Sequence, residues 1–139
     1  MDVDKLVKAL DDESNDQLMN LTTDKIREMN LNVLKELQLS KNDTIDLFKR
    51  LKEYIYVDEV KDFKYGTYLR WIPLNNPDDI HLTKGALFCE LKITDNGINI
   101  VCKNYNTRCF QIKMDECLIF RKLTEQELIL LSALDHLSK

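Results

Sequence analysis

Glycine and proline are scarce in this chain, with three glycines and two prolines in 139 residues, all five between positions 66 and 97. The first 65 residues therefore lack the two strongest breakers of regular structure, which points to a helical amino-terminal part. No glycine opens a helix in the pattern of a phosphate-cradling loop, so a P-loop or dinucleotide fingerprint is excluded. The two histidines, His81 and His136, leave a histidine general base poorly supplied, and no GxSxG, HExxH or DxDxDG arrangement occurs. Apolar runs fall far short of a membrane span. The amino terminus, MDVDKLVKALDDE, is acidic where a secretory leader is basic. No targeting segment and an intracellular, cytoplasmic location are thus expected.

Cysteine is present but not in a useful spacing. Cys89, Cys102, Cys109 and Cys117 form no CxxC pair and have no neighbouring histidine pair, so neither a disulfide framework nor a zinc site is expected, and no metal or cofactor. They read as reduced thiols acting as small apolar side chains. A Cys89–His81 nucleophile and base fails on the same ground, because Cys89 lies on the expected core face, where a thiol is inert. Asn75, Asn76, Asp78 and Asp79 form a polar loop without the spacing of a calcium loop and read as solvated. Catalysis is not expected.

Apolar residues at 44% and charged residues at 32% describe an ordinary globular chain, and its length argues for one domain, residues 1–139, able to bury about two thirds of its unfolded surface. The net charge of −4 is unevenly placed. Residues 1–60 carry 9 Lys/Arg against 14 Asp/Glu, whereas residues 61–139 carry 11 against 10. Non-specific duplex binding therefore lacks its electrostatic footprint.

Residues 1–60 read as helical. Val3, Leu6, Val7 and Leu10 set a short amphipathic helix that ends in an acidic linker, DDESND. Thr22 caps a second helix whose face is Ile26, Met29, Val33, Leu34 and Leu37, with Leu21 stapled onto Ile26. Ser40 with Asp43 starts a third, with Ile45, Phe48, Leu51 and Ile55 at helical spacing. A connection of a residue or two makes these a tight helical pair. As a helix-turn-helix reader the pair is poor: Asp43, Asp46 and Glu53 interleave with Lys49, Arg50 and Lys52, and the turn that meets base edges is acidic.

From residue 65 to 123 the period becomes two. Thr67–Ile72 alternates Tyr68, Arg70 and Ile72 against Leu69 and Trp71, with Pro73 as its stop. Leu87, Cys89, Leu91 and Ile93 share one face, as do Ile98, Ile100 and Cys102. A type I′ turn at Asn96-Gly97 between them pairs Asp95 with Ile98, Ile93 with Ile100 and Leu91 with Cys102. A three-residue turn at Tyr105-Asn106-Thr107 then pairs Cys102 with Phe110 and Ile100 with Ile112, and Cys117–Leu123 is the last strand. The expected fold class is α+β: a meander of four or five strands, closed into a small barrel of the Src-homology-3, Tudor or Sm kind or left as an open antiparallel sheet. Thr124 and Glu127 form a capping box for a final helix over 124–138. Its apolar positions wrap most of the circumference. Leu130, Leu131, Leu134 and Leu137 are thus candidates either for internal packing or for self-association.

Tyr65, Tyr68, Arg70, Trp71, Tyr105 and Arg108 compose an aromatic and cationic set of the kind that stacks single-stranded bases. The plainer reading puts Leu69 and Trp71 in the core and the others on an ordinary surface. At YGTYLRWIPL and CKNYNTRCFQIKMDECLIFRKLTEQE, within residues 65–137, the chain resembles small proteins encoded by giant nucleocytoplasmic DNA viruses. That resemblance implies a virion component or a factor of the infected cytoplasm. The expected function is a non-catalytic structural or protein-interaction module, with a protein partner or a homo-oligomer. Single-stranded nucleic-acid binding is the alternative, and a small enzyme of unknown class is a distant third.

Overall fold

The structure is a computed structural model and describes residues 2–138. The chain gathers into two compact units: residues up to Glu53 with those from Leu123 onward, and Tyr54–Lys122. The class is α+β, with four helices and one antiparallel sheet.

The first unit holds α1 (Val3–Asp11), α2 (Thr23–Lys35), α3 (Lys41–Arg50) and α4 (Glu125–Leu137). Three helix starts follow from local chemistry. The Thr22 hydroxyl accepts from the Lys25 amide, the Ser40 hydroxyl accepts from the Asp43 amide, and Thr124 with Glu127 completes a reciprocal capping box. A fourth constraint is tertiary: the Asp135 carboxylate on α4 accepts from the Thr23 amide at 2.8 Å and from its hydroxyl, placing a negative charge on the positive end of α2. The acidic linker after α1 enters a 3₁₀ helix (Glu13–Leu18), with the buried Asn15 side-chain amide donating to the Ala9 carbonyl at 2.9 Å. The α2–α3 connection is longer than expected, because α2 stops at Lys35 and Gln38 takes a left-handed φ of 55°. α3 also ends early, at Arg50. Its inward residues are Leu47 and Leu51, while Ile45 faces solvent.

The second unit is the sheet: β1 (Tyr54–Tyr56), β2 (Tyr68–Pro73), β3 (Ala86–Thr94), β4 (Gly97–Lys103), β5 (Cys109–Lys113) and β6 (Cys117–Lys122), in the order β1-β6-β2-β3-β4-β5. Six strands replace the expected four or five, because Ile55, expected on a helix, lies in β1. The run Tyr54-Ile55-Tyr56 is aromatic and β-branched, and its pairing with β6 overrides the helical spacing. The sheet is open, not a barrel: β1 and β5 are its edges.

The β3–β4 hairpin corrects the expected register. Thr94 pairs with Gly97, Ile93 with Ile98 and Leu91 with Ile100. Asp95 and Asn96 are the central turn residues and keep negative φ, while Gly97 alone takes +118°. This is a type I turn followed by a left-handed glycine, not the expected type I′ turn. The slip is two residues, so Leu91 and Ile93 keep their face. Nearer the start of β3, a bulge at Cys89 separates the Phe88–Cys102 and Glu90–Val101 pairs. It sends Phe88 inward and leaves Leu87 exposed, the reverse of strict alternation. Beyond the hairpin, β4 and β5 pair Cys102 with Phe110 and Ile100 with Ile112, as the three-residue turn requires. Thr107 supplies the left-handed φ of 63° there, and the Asn104 side chain accepts from the Asn106 and Arg108 amides.

One face of the sheet buries Leu69, Trp71, Ala86, Phe88, Ile100, Cys102 and Ile119, joined by Val57 and Phe63 from the β1–β2 connection. Arg121 shares that face, opposite Ile55 and Leu69, and is fully buried. Its Nε donates to the Asp62 carbonyl at 3.1 Å. Asp62 closes a 3₁₀ turn (Val60–Asp62) in which the Glu59 and Asp62 side chains cap each other's amides.

The segment before β3 runs back along β2. The Thr83 amide donates to the Trp71 carbonyl at 2.9 Å, and its hydroxyl accepts from the Trp71 amide at 3.2 Å. Gly85 is held so close that a Cβ there would lie 2.2 Å from the Leu69 carbonyl oxygen, at a φ of +90°. Gly85→Ala should lower the unfolding free energy by about 3 kcal/mol, from strain plus backbone displacement. Gly66→Ala and Gly97→Ala meet open space and should lose only the left-handed cost, about 1 kcal/mol. Denaturant unfolding of the three variants checks this; equal losses would remove the close approach as the cause.

Candidate interaction surface

Helix α1 packs along α4, with Ala9 fully buried and Leu6 half-buried. The expected core stripe goes elsewhere. Val3, Val7 and Leu10, spaced i, i+4 and i+7, are 66%, 48% and 44% exposed. A helix turns 100° per residue, so the three form one continuous strip beside the buried Ala9 edge. Asp4 and Asp11, seven residues apart, fall along its free margin and are exposed. The result is an apolar strip with an acidic border. The sequence shows the period but not which arc is covered. The small Ala9, which lets α1 approach α4 closely, is the signal that identifies the buried arc.

The structure disperses the aromatic and cationic set. Trp71 is buried and packs against Phe110 with ring centroids 5.8 Å apart. The Tyr68 hydroxyl donates to the Lys84 carbonyl at 2.8 Å, and Arg70 Nε to the Thr83 carbonyl at 2.9 Å. Both clasp the 83–85 segment onto β2. Tyr65, 75% exposed, rests its ring 5.3 Å from that of Phe88. Tyr105, 91% exposed, and Arg108 occupy the β4–β5 turn. Of the α4 residues, Leu130 and Leu131 are buried, Leu134 is half-buried and Leu137 is exposed. The 75–79 loop bonds within itself: the Asp78 amide donates to the Asn76 side chain, and Asp79 pairs with His81 at 3.3 Å.

The thiols divide by environment. Burial, with the neighbouring Cys89 and Cys117 adding to it, pushes the Cys102 thiol up to about 12. Burial, then Glu116 and Asp115, pushes Cys117 up to about 11. Both stay protonated at neutral pH, which suits apolar packing and not nucleophilic attack. Cys109 is exposed and Cys89 is half-buried.

No protein-family model, curated protein or solved structure matches this chain. No helix among the described residues is long and apolar enough to cross a membrane.

A thiol reagent at pH 7.5 should therefore label the exposed Cys109 promptly and the buried Cys102 only on unfolding; Cys109→Ser should remove the fast phase. The folded state retains the Cys102 and Cys117 protons where the unfolded chain releases them, near pH 9. Their contribution to stability is complete below that pH and is lost as pH rises toward 11 and 12. The melting temperature should fall between pH 8 and pH 10.5, and fall less in Cys102→Ala. An equal fall in both proteins would assign the loss to other groups.

Proposed function

We propose that this protein is a non-catalytic protein-interaction module that docks a partner through the outer strip of α1. The exposed Val3-Val7-Leu10 strip carries this reading, since a helix lying on α4 by one edge keeps three large aliphatic side chains in water on the next. A second copy of α1 is a poor partner. Pairing two such strips antiparallel sets the acidic margin of one against that of the other, so Asp4 and Asp11 meet like charges. The complementary surface is an apolar groove or helix with a basic rim, which charge attraction would also steer into place. The resemblance of residues 65–137 to small giant-virus proteins supports a virion or an infected cytoplasm as the setting.

The test uses a synthetic amphipathic helix of leucine and lysine as the probe, with binding read by fluorescence anisotropy. Docking on the strip predicts that Val7→Asp weakens binding about tenfold, because it places a carboxylate in the apolar centre. General attraction of a basic peptide to an acidic protein predicts the opposite sign, since Val7→Asp adds negative charge. Unchanged or tighter binding would end this reading, and a wild-type dimer in light scattering that Val7→Asp dissociates would replace it with self-association.

A further inference from the structure

Between α2 and α3, within the first unit, lies a cleft of about 340 Å³ lined by Arg27, Asn30, Phe48, Lys49, Leu51 and Lys52. Three of its six lining residues are cations in a chain whose net charge is −4. Among the described residues no carboxylate lines it. None of the three cations forms an ion pair among the described residues, although the adjacent Arg50 does, with Asp46 at 3.1 Å. Glu53, the nearest acidic residue in sequence on the other side, lines an adjoining cleft of about 130 Å³ that shares Arg27 and Lys52, so Lys49 is the cation of the three that belongs to the larger cleft alone. The end of α3 and the turn after it bring the cations together against α2. Lys49 lies in the last turn of α3, Lys52 in the turn that follows it, and Arg27 on α2 lines the same cleft. Like charges gathered at one concavity repel each other, and a bound anion relieves that repulsion.

The remaining wall is apolar. Phe48 is half-buried and Leu51 is buried, so the cleft joins a charged rim to an aromatic side. Its volume lies at the lower end of the range for small-molecule sites, about 300 to 1,000 Å³, and is too small for a packed helix. An arginine fork and two lysine ammonium groups match a polyphosphate, the first by paired hydrogen bonds and the others as point charges. A phenyl face offers a stacking surface for a planar base. We propose that this cleft binds a nucleoside di- or triphosphate, with the phosphates on Arg27, Lys49 and Lys52 and the base against Phe48. The site is independent of the α1 strip and survives if that docking reading fails.

Isothermal titration of the full chain with ATP, without divalent cations and at low salt, tests the site, with inorganic pyrophosphate and adenosine as separate arms. ATP should bind more tightly than pyrophosphate, and adenosine should show no heat. Lys49→Glu should weaken ATP about tenfold or more, and Phe48→Leu should bring ATP affinity down toward that of pyrophosphate. Lys49 is an exposed residue, so Lys49→Glu keeps the core, and an unchanged thermal melt verifies that. Three results would overturn the proposal. They are no ATP binding, ATP affinity unchanged in both Lys49→Glu and Lys52→Glu, and displacement of ATP by a short polyglutamate peptide at lower concentration, which would make the cleft a peptide site.

Discussion

One buried cation governs the sheet unit. Arg121 stands on the core face of β6 between β1 and β2, with no solvent exposure. Desolvating a guanidinium costs several kcal/mol unless its donors are met. The Asp62 carbonyl meets one, so the connection between β1 and β2 must pass over that face. The rest of the connection obeys this. The paired Glu59 and Asp62 caps hold the 3₁₀ turn, Phe63 stacks on Phe88 with centroids 5.0 Å apart, and Val57 joins the cluster beneath. An apolar residue at 121 would pack against Leu69 as readily but would leave the Asp62 carbonyl without that donor.

What could be read ahead of the structure was local. The caps at Thr22, Ser40 and Thr124 and the turn at 105–107 depend on hydrogen bonds spanning a few residues, and all are present. Where two local solutions compete, spacing does not decide between them: Asn96-Gly97 suits a type I′ loop, yet Asp95-Asn96 with Gly97 behind it closes the same hairpin. The bulge at Cys89, the strand at Tyr54–Tyr56 and the burial of Arg121 arise from partners far along the chain, which spacing does not encode. Arginine on a strand is ordinarily taken for a surface residue, and nothing around Arg121 in sequence says otherwise.

The candidate sites follow the same division. Tyr68, Arg70 and Trp71 had the composition of a binding platform, but their polar atoms and ring meet the 83–85 segment and Phe110 instead. The α1 strip was visible as a period and hidden as a surface. The α2–α3 cleft was half visible: Lys49 and Lys52 stood out among interleaved acids, whereas Arg27, a helix away, joins them only in space. The first unit thus segregates its charge, with acid bordering the apolar strip of α1 and base lining the α2–α3 cleft, although its sequence averages to an acidic balance.

The Leu123 amide donates to the Glu53 carbonyl at 2.9 Å, so the chain leaves the helical unit and re-enters it at one point. During synthesis the sheet unit is complete once Lys122 has emerged, while α2 still lacks the Asp135 carboxylate that meets its amino-terminal turn. The helical unit therefore cannot finish until α4 has left the ribosome. Premature termination there would release a finished sheet joined to helices without their closing member, with the aliphatic side chains that α4 covers open to other chains.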